Sequence, residues 1–287
     1  KIVTPITGMT FTEDKELNQL GYGQEYQIKY TLEPVDATAS LLTWTSDNPD
    51  MISVDKTGKL KVHTTKTASA VITASYGPVV QNVTVTVADG RFWYSLGNGL
   101  GNGQDNNWYL DGNGASVVSS DGKKTIVQMG SGYRGDLWLA RSGKGKVVNV
   151  TPADYRYFAI KVGFKSQLVP GKNKPNGCIK LEIFDDGIKK IGPEYFGTGG
   201  DANNRYEILG ASEISTTEPN VLYYDLQSKY KTVTPTDWNQ VFDLAQCKFV
   251  IADFPETAQT YDLYWIRSFK SIEELQAFVD SENNTNE

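Results

Sequence analysis

Along most of the chain polar and apolar residues alternate with the two-residue period of a half-buried β-strand. In the first 88 residues the alternating runs are 25–32, 40–45, 51–54, 59–62, 70–75 and 81–87, with turn residues between them at short intervals. That rhythm predicts a small antiparallel sandwich of immunoglobulin type. Further runs follow at 125–129, 136–140, 155–164, 178–184, 221–226, 247–254 and 261–269, separated by Gly, Pro and Asn. With no alternation of strand and helix, they predict a larger β-sandwich of jelly-roll type. Two segments change to helical spacing. Residues 234–245 begin Thr234-Pro and repeat Trp238, Val241, Phe242 and Ala245, and Ser271-Ile-Glu-Glu274 forms a capping box ahead of Leu275, Phe278 and Val279. The polar tail from Asp280 is expected to fray. The predicted fold class is therefore all-β: an Ig-like sandwich over 1–88, a boundary at Ala88-Asp-Gly90, and a jelly-roll-type sandwich with two short helices over 89–287.

The run 133–141 divides into two chemically different faces. Tyr133, Leu137 and Leu139 fall on one side, and Arg134, Asp136 and Trp138 on the other. An indole beside an acceptor and a fork of donors suits a sugar, whose C–H face lies on the ring while its hydroxyls bond the polar pair. In the run 155–164, Phe158, Ile160, Val162 and Phe164 form an apolar face, so Tyr155, Tyr157, Ala159, Lys161 and Gly163 face outward. If the two strands are neighbours, Trp138, Arg134, Asp136, Tyr157 and Lys161 form one aromatic and polar platform. The competing expectation is that Trp138 packs under a loop and Arg134–Asp136 is a modest surface ion pair. Trp108 follows Asp105-Asn-Asn107 in a loop-like stretch, where an exposed ring beside Asn107 would extend the binding set. Trp93 is expected to pack at the domain junction and Trp238 in a core. One ring of Leu263-Tyr-Trp-Ile266 must be buried, and the pattern does not say which.

Composition narrows the chemistry. A hydrophobic fraction of 39% and a charged fraction of 22% are ordinary, and no apolar run is long enough to span a membrane. A formal charge of −6 with dispersed acids argues against a nucleic-acid partner. Five of the six tryptophans lie after the boundary, more aromatic area than a core needs. Cys178 and Cys247 lie in strand-like runs and are as readily a buried reduced pair as a disulfide; neither has the neighbours of a zinc site. His63, the only histidine, is read as a surface residue on an alternating strand. Lys1 opens on a polar, proline-containing segment, so any targeting sequence is expected to have been removed.

No cofactor or metal is expected. The glycine-rich run 97–103 lacks the Gly-Lys-Ser/Thr ending of a phosphate loop, and Asp105, Asp111 and Asn113 do not meet the calcium-loop pattern. Glu182, Asp185, Asp186, Glu194 and Glu207 could supply the two carboxyls of a glycoside hydrolase, but they form no compact motif. A nucleophile elbow for acyl transfer is absent, and catalysis is not expected. Arg134-Gly-Asp136 spells an integrin tripeptide inside a strand pattern, where it reads as coincidence.

The segment Leu42-Thr-Trp-Thr-Ser-Asp-Asn-Pro49 followed by Ile52-Ser-Val-Asp-Lys-Thr-Gly-Lys-Leu60 resembles the bacterial Ig-like group 2 family over nearly the whole first domain. The resemblance implies a spacer in which Trp44 anchors the core and the Asp55-Lys-Thr-Gly58 turn joins two strands, because Gly tolerates positive φ. The order of an Ig-like domain, an aromatic-rich sandwich ending Tyr264-Trp-Ile-Arg-Ser-Phe-Lys-Ser271 and an acidic helix is similar to the surface glycan-binding proteins of Bacteroidetes polysaccharide-utilisation systems. That resemblance implies a lipoprotein on the extracellular face of the outer membrane, which captures polysaccharide without catalysis and passes it to an outer-membrane transporter complex. The near-absence of a basic cluster favours a neutral glycan such as a β-glucan or hemicellulose over an anionic one. The alternatives are a glycoside hydrolase or lyase with an accessory Ig-like domain, and a protein-binding adhesin.

Overall fold

The computed structural model describes residues 2–101, 108–111, 114–131, 134–141, 144–145, 148–166, 178–185, 206–227, 238–252 and 260–284. Among the described residues the fold is mostly β, with 53% strand and one α-helix. It divides into two compact units, Lys1–Arg91 and Phe92–Glu287.

The first unit contains β1 (Gly8–Phe11), β2 (Leu20–Tyr22), β3 (Glu25–Gln27), β4 (Tyr30–Glu33), β5 (Thr43–Ser46), β6 (Ile52–Val54), β7 (Lys59–Val62), β8 (Ala68–Tyr76) and most of β9 (Val79–Ser95). β1 pairs with β4, β7 lies between β3 and β6, and β5 and β9 flank β8. The alternation expected from the sequence is kept, with Leu60, Ile72 and Val85 fully buried. Trp44 is buried, stacked on Phe11 with ring centroids 5.8 Å apart and tilted against Tyr30 at 5.5 Å. β6 and β7 are joined by the 55–58 turn, in which Gly58 has φ +84° and a Cβ would lie 2.6 Å from Trp44 Cζ2. Glycine is thus required there twice, for its backbone and for its missing side chain. His63 is half-buried, with Nε2 2.7 Å from Ser53 Oγ.

In the second unit the elements are β10 (Tyr109–Asp111), β11 (Ser116–Ser120), β12 (Thr125–Gln128), β13 (Asp136–Arg141), β14 (Lys144–Gly145), β15 (Val148–Val150), β16 (Tyr157–Phe164), β17 (Cys178–Asp185), β18 (Glu207–Ile208), β19 (Asn220–Asp225), β20 (Phe242–Ala252), β21 (Thr260–Phe269) and α1 (Ile272–Asn284). They form two facing sheets. In one, β20 pairs with β13 and β15 along one edge and β17 along the other, and β10 adds to β13. In the other, β16 lies between β19 and β21, β18 extends β19, and β12 and the end of β9 flank β21. Between the sheets Phe249 meets Phe158 at 5.6 Å and Tyr224 at 5.8 Å. The Tyr261 hydroxyl donates to Gly135 O at 2.6 Å, tying one sheet to the other.

α1 covers the outer face of the second sheet. Glu274 N donates to Ser271 Oγ at 3.1 Å, the cap expected from the sequence, and fully buried Leu275 packs with Trp265, Phe269 and Ala159. The helix continues through Asp280 to Asn284, so the tail does not fray where expected. Its last turn is held by Glu282, which accepts from Lys161 Nζ at 3.0 Å and Trp265 Nε1 at 3.1 Å. Trp265 is thus the buried ring of its run, and half-buried Trp93 packs on Phe278 at 5.3 Å within this unit. The second expected helix is not formed at its C-terminal end: residues 234–237 lie outside the described residues, Trp238 is half-buried in a turn, and β20 begins at Phe242. Cys247 is a free, fully buried thiol, and burial pushes its pKa up.

Candidate functional site

On β13, Leu137 and Leu139 point into the core at 0% and 1% exposure, as the alternation predicts. Asp136 and Trp138 consequently face away from it. Register brings Tyr109, Trp138, Lys248 and Glu182 into one row across β10, β13, β20 and β17, since Tyr109 pairs Trp138, Trp138 pairs Lys248 and Lys248 pairs Glu182. In the neighbouring row Asp111 pairs Asp136, and Val250 pairs Lys180.

Side chains in and beside these rows form two hydrogen-bonded polar groups, one of them against the Trp138 indole. Lys248 Nζ lies 4.4 Å from the Trp138 ring centroid and 3.0 Å from Glu182 Oε2, which also accepts from Gln246 Nε2 at 3.3 Å. Arg134 Nε donates to Asp136 Oδ2 at 2.9 Å, and the Ile251 amide donates to Asp136 Oδ1 at 3.1 Å. Burial raises the Asp136 pKa, while Arg134, Lys248 and the Ile251 amide pull the other way. Asp136, Lys180 and Glu182 are all buried, although they lie on the face opposite the core. The set can present ring, donors and acceptors together to a polyhydroxyl ligand.

The structure divides the seven residues expected to bind. Arg134, Asp136 and Trp138 are together, but Trp138 is only 9% exposed with a lysine across its ring, so the expected open platform is not found. Tyr157 and Lys161 are elsewhere: β13 lies beside β20, whereas β16 belongs to the opposite sheet between β19 and β21. Tyr157 meets Tyr223 edge-on at 6.1 Å, beside the two-bonded Arg156–Asp225 pair at 2.8 and 2.7 Å, and Lys161 is held at α1 by Glu282. Trp108 has no exposed surface; it sits in the core, edge-on to Tyr94 at 5.9 Å and 5.9 Å from Phe249, so its ring has no face for a ligand. Asn107, Tyr133, Asp105, Asn113, Asp186 and Glu194 lie outside the described residues. The Arg134-Gly-Asp136 tripeptide is folded back on itself as an ion pair with a buried aspartate.

Sequence reasoning missed Lys248 and Gln246, and considered Glu182 only as a hydrolase carboxylate. The signal for Glu182 and Lys248 was alternation: each is the polar residue between buried partners in the runs 178–184 and 247–254, but the register that aligns them with Trp138 is not local information. Among the described residues no group of three or more His, Cys, Asp or Glu side chains is placed to hold a metal ion. No described helix is long and apolar enough to cross a membrane.

The family model described as "Domain of unknown function (DUF4979)" matches residues 96–275. A search of curated proteins gives no match. Among solved structures, one is described as "Structural basis for the promiscuous specificity of the carbohydrate-binding modules from the beta-sandwich super family". It is 11% identical, with a TM-score of 0.30, covering 91% of this chain and 97% of that one. Surface layer protein SbsC, domains 1–6, is 12% identical with a TM-score of 0.25, covering 84% of this chain and 28% of the other. Likenesses this loose transfer no binding property.

Proposed function

Since the chain belongs to the DUF4979 family, a domain of unknown function, its role has to come from its own residues, and we propose that it binds a neutral glycan without catalysis. The observation that carries this reading is the charged set buried around Trp138 on an outer sheet face. A sugar ring would take the indole face now capped by Lys248, while Lys248, Glu182, Asp136 and Arg134 exchange hydrogen bonds with hydroxyls. These groups are held by the sheet register and by one another, so little ordering is left for the ligand to impose. A single site of this kind is expected to bind at micromolar to millimolar concentration, roughly −8 to −4 kcal/mol. The cell-surface setting, lipid anchor and transporter partnership belong to the same proposal and follow from the domain order described above.

A second reading has one specific observation in its favour. Asp136, with a raised pKa, and Glu182, paired with a cation, share one sheet face, a division of labour that glycoside hydrolysis uses. Mass spectrometry of neutral hexasaccharides after long incubation separates the two. Retardation in a neutral-polysaccharide gel, with no cleavage, is the outcome expected for binding. Turnover lost in Glu182→Gln would replace binding by hydrolysis, and no retardation on any glycan would sink both readings.

A further inference from the structure

The first unit contains a cleft of about 710 Å³ between the β1–β2 segment and the first half of β9. That is within the ~300–1,000 Å³ usual for small-molecule clefts. Its apolar lining is Phe11, Leu17 and Val83. Phe11 is half-buried, and its ring is braced from one side by stacking on Trp44 at an interplanar angle of 18°. The polar lining comprises Thr10, Thr12, Asn18, Gln81, Asn82 and Thr84, six neutral hydrogen-bonding side chains, together with the charged Glu13, Asp14 and Lys15.

The neutral groups are not consumed by the fold. Among the described residues, the side chains of Thr10, Thr12, Asn18, Gln81 and Thr84 make no hydrogen bond to protein, and Asn82 uses only its Oδ1, accepting from Thr73 Oγ1 at 2.7 Å. The acidic residue at the rim that does carry interactions, Asp14, is already satisfied by Tyr26, the Glu16 amide and Lys29. A braced aromatic ring below several unused neutral donors and acceptors matches a sugar ring, with C–H groups over Phe11 and hydroxyls at the rim. An anion finds no cationic cluster there, and an apolar ligand would strand the amides.

We propose that the first unit is a binding module in its own right, whose cleft takes one or two sugar rings of a neutral glycan. The choice of probe rests on the glycan-binding reading of the second unit; the site itself does not. The experiment is hydrogen exchange on the full chain with saturating cellohexaose, laminarihexaose, xylohexaose or mannohexaose, alongside calorimetric titration. One of these probes should protect residues 8–18 and 79–86, and protection should persist in Lys248→Met/Glu182→Gln, which disables the other site. In Asn18→Ala/Gln81→Ala it should vanish, with about a tenfold or greater loss of affinity at this cleft, as expected for two lost hydrogen bonds. Thr84→Tyr, on the exposed side of β9, should block the cleft without touching the core. Protection confined to the second unit, with Asn18→Ala/Gln81→Ala binding as the parent does, overturns this inference and leaves the proposed function standing. Protection confined to 8–18 and 79–86 sinks the Trp138 site and keeps this one. No protection with any probe overturns this inference.

Discussion

Lys248 is the side chain whose removal bears most directly on the Trp138 site. Its ammonium lies 4.4 Å from the indole centroid and 3.0 Å from Glu182 Oε2, and both members of the ion pair have side chains 11% exposed. Lys248→Met keeps most of the stem and removes the charge. Glu182 is then left buried with Gln246 as its donor, and breaking a pair this shielded costs about 3 kcal/mol. Glu182→Gln is milder, about 1–2 kcal/mol, because Lys248 keeps the Trp138 ring, itself worth about 1 kcal/mol. Lys248→Met/Glu182→Gln strands no charge, so it should also cost only about 1–2 kcal/mol, leaving a coupling energy of about 3 kcal/mol in the double-mutant cycle. Urea unfolding of the full chain, followed by hydrogen exchange in 136–141 and 242–252, reads the second unit alone. Two single substitutions that each cost under about 0.5 kcal/mol and add without coupling would mean an ordinary solvated pair. The site would then have no desolvated, fixed polar set with which to read a sugar.

Asp136 gives a pH dependence of defined sign. Its folded pKa is raised, so its contribution to stability is fully present below the unfolded value of about 3.9 and is lost as pH rises through the folded value. The cost of Asp136→Asn should therefore shrink as pH rises above about 4; urea midpoints of both proteins across pH check this, and a cost that grows with pH refutes it. In the first unit, Gly58→Ala places a Cβ 2.6 Å from the Trp44 ring at φ +84°, and should destabilise by about 2–4 kcal/mol. The melting transition followed at Trp44 should fall by roughly 10 °C or more, and an unchanged melt would mean that the turn and ring move apart freely.

How much of this was legible in the sequence depends on whether the information is local. Within a strand, alternation placed Leu137 and Leu139 inside and Trp138 outside, and turn and capping chemistry placed Gly58 and Ser271, because each of these depends on residues a few positions apart. Which strands are neighbours is a non-local outcome. The pairing of β13 with β20 removed Tyr157 and Lys161 from the Trp138 site although their outward alternation had been read correctly. Trp108 was misread from its polar flank, whereas its burial is decided by Tyr94 and Phe249, more than a dozen and more than a hundred residues away. At 238–245 the spacing of Trp238, Val241 and Phe242 satisfies a helix, but Phe242 and Leu244 also satisfy a strand. Short apolar runs fit both periods, and pairing with β15 and β17 decides for the strand.

The two outer sheet faces of the second unit show why the polar set around Trp138 calls for an explanation beyond packing. Beneath α1 the covered face is filled mainly with Ala159, Val221, Trp265 and Phe269; its lysine, Lys161, is neutralised by Glu282, and Arg267 lies against the Trp93 and Phe278 rings at 4.4 Å. This sequence can therefore build a covered face whose centre is apolar, with its cations paired or stacked on rings. On the face of β13, β20 and β17 it instead buries Asp136, Lys180 and Glu182 as well as the Trp138 indole, with Val250 and Ala252 as a small apolar cluster among the described residues. Each buried charge costs several kcal/mol in desolvation, which its ion pair offsets only in part, and aliphatic replacements are often neutral or stabilising. Retaining charges there is unfavourable for a lid and suitable for a site in which a ligand's hydroxyls complete the hydrogen bonding. The Phe11 cleft is a different case, since the groups left for a ligand there, such as Asn18 and Gln81, are neutral. If the Lys248–Glu182 coupling proves large and glycan retention is lost in the stable double variant, stability and binding will have been separated at one pair of residues.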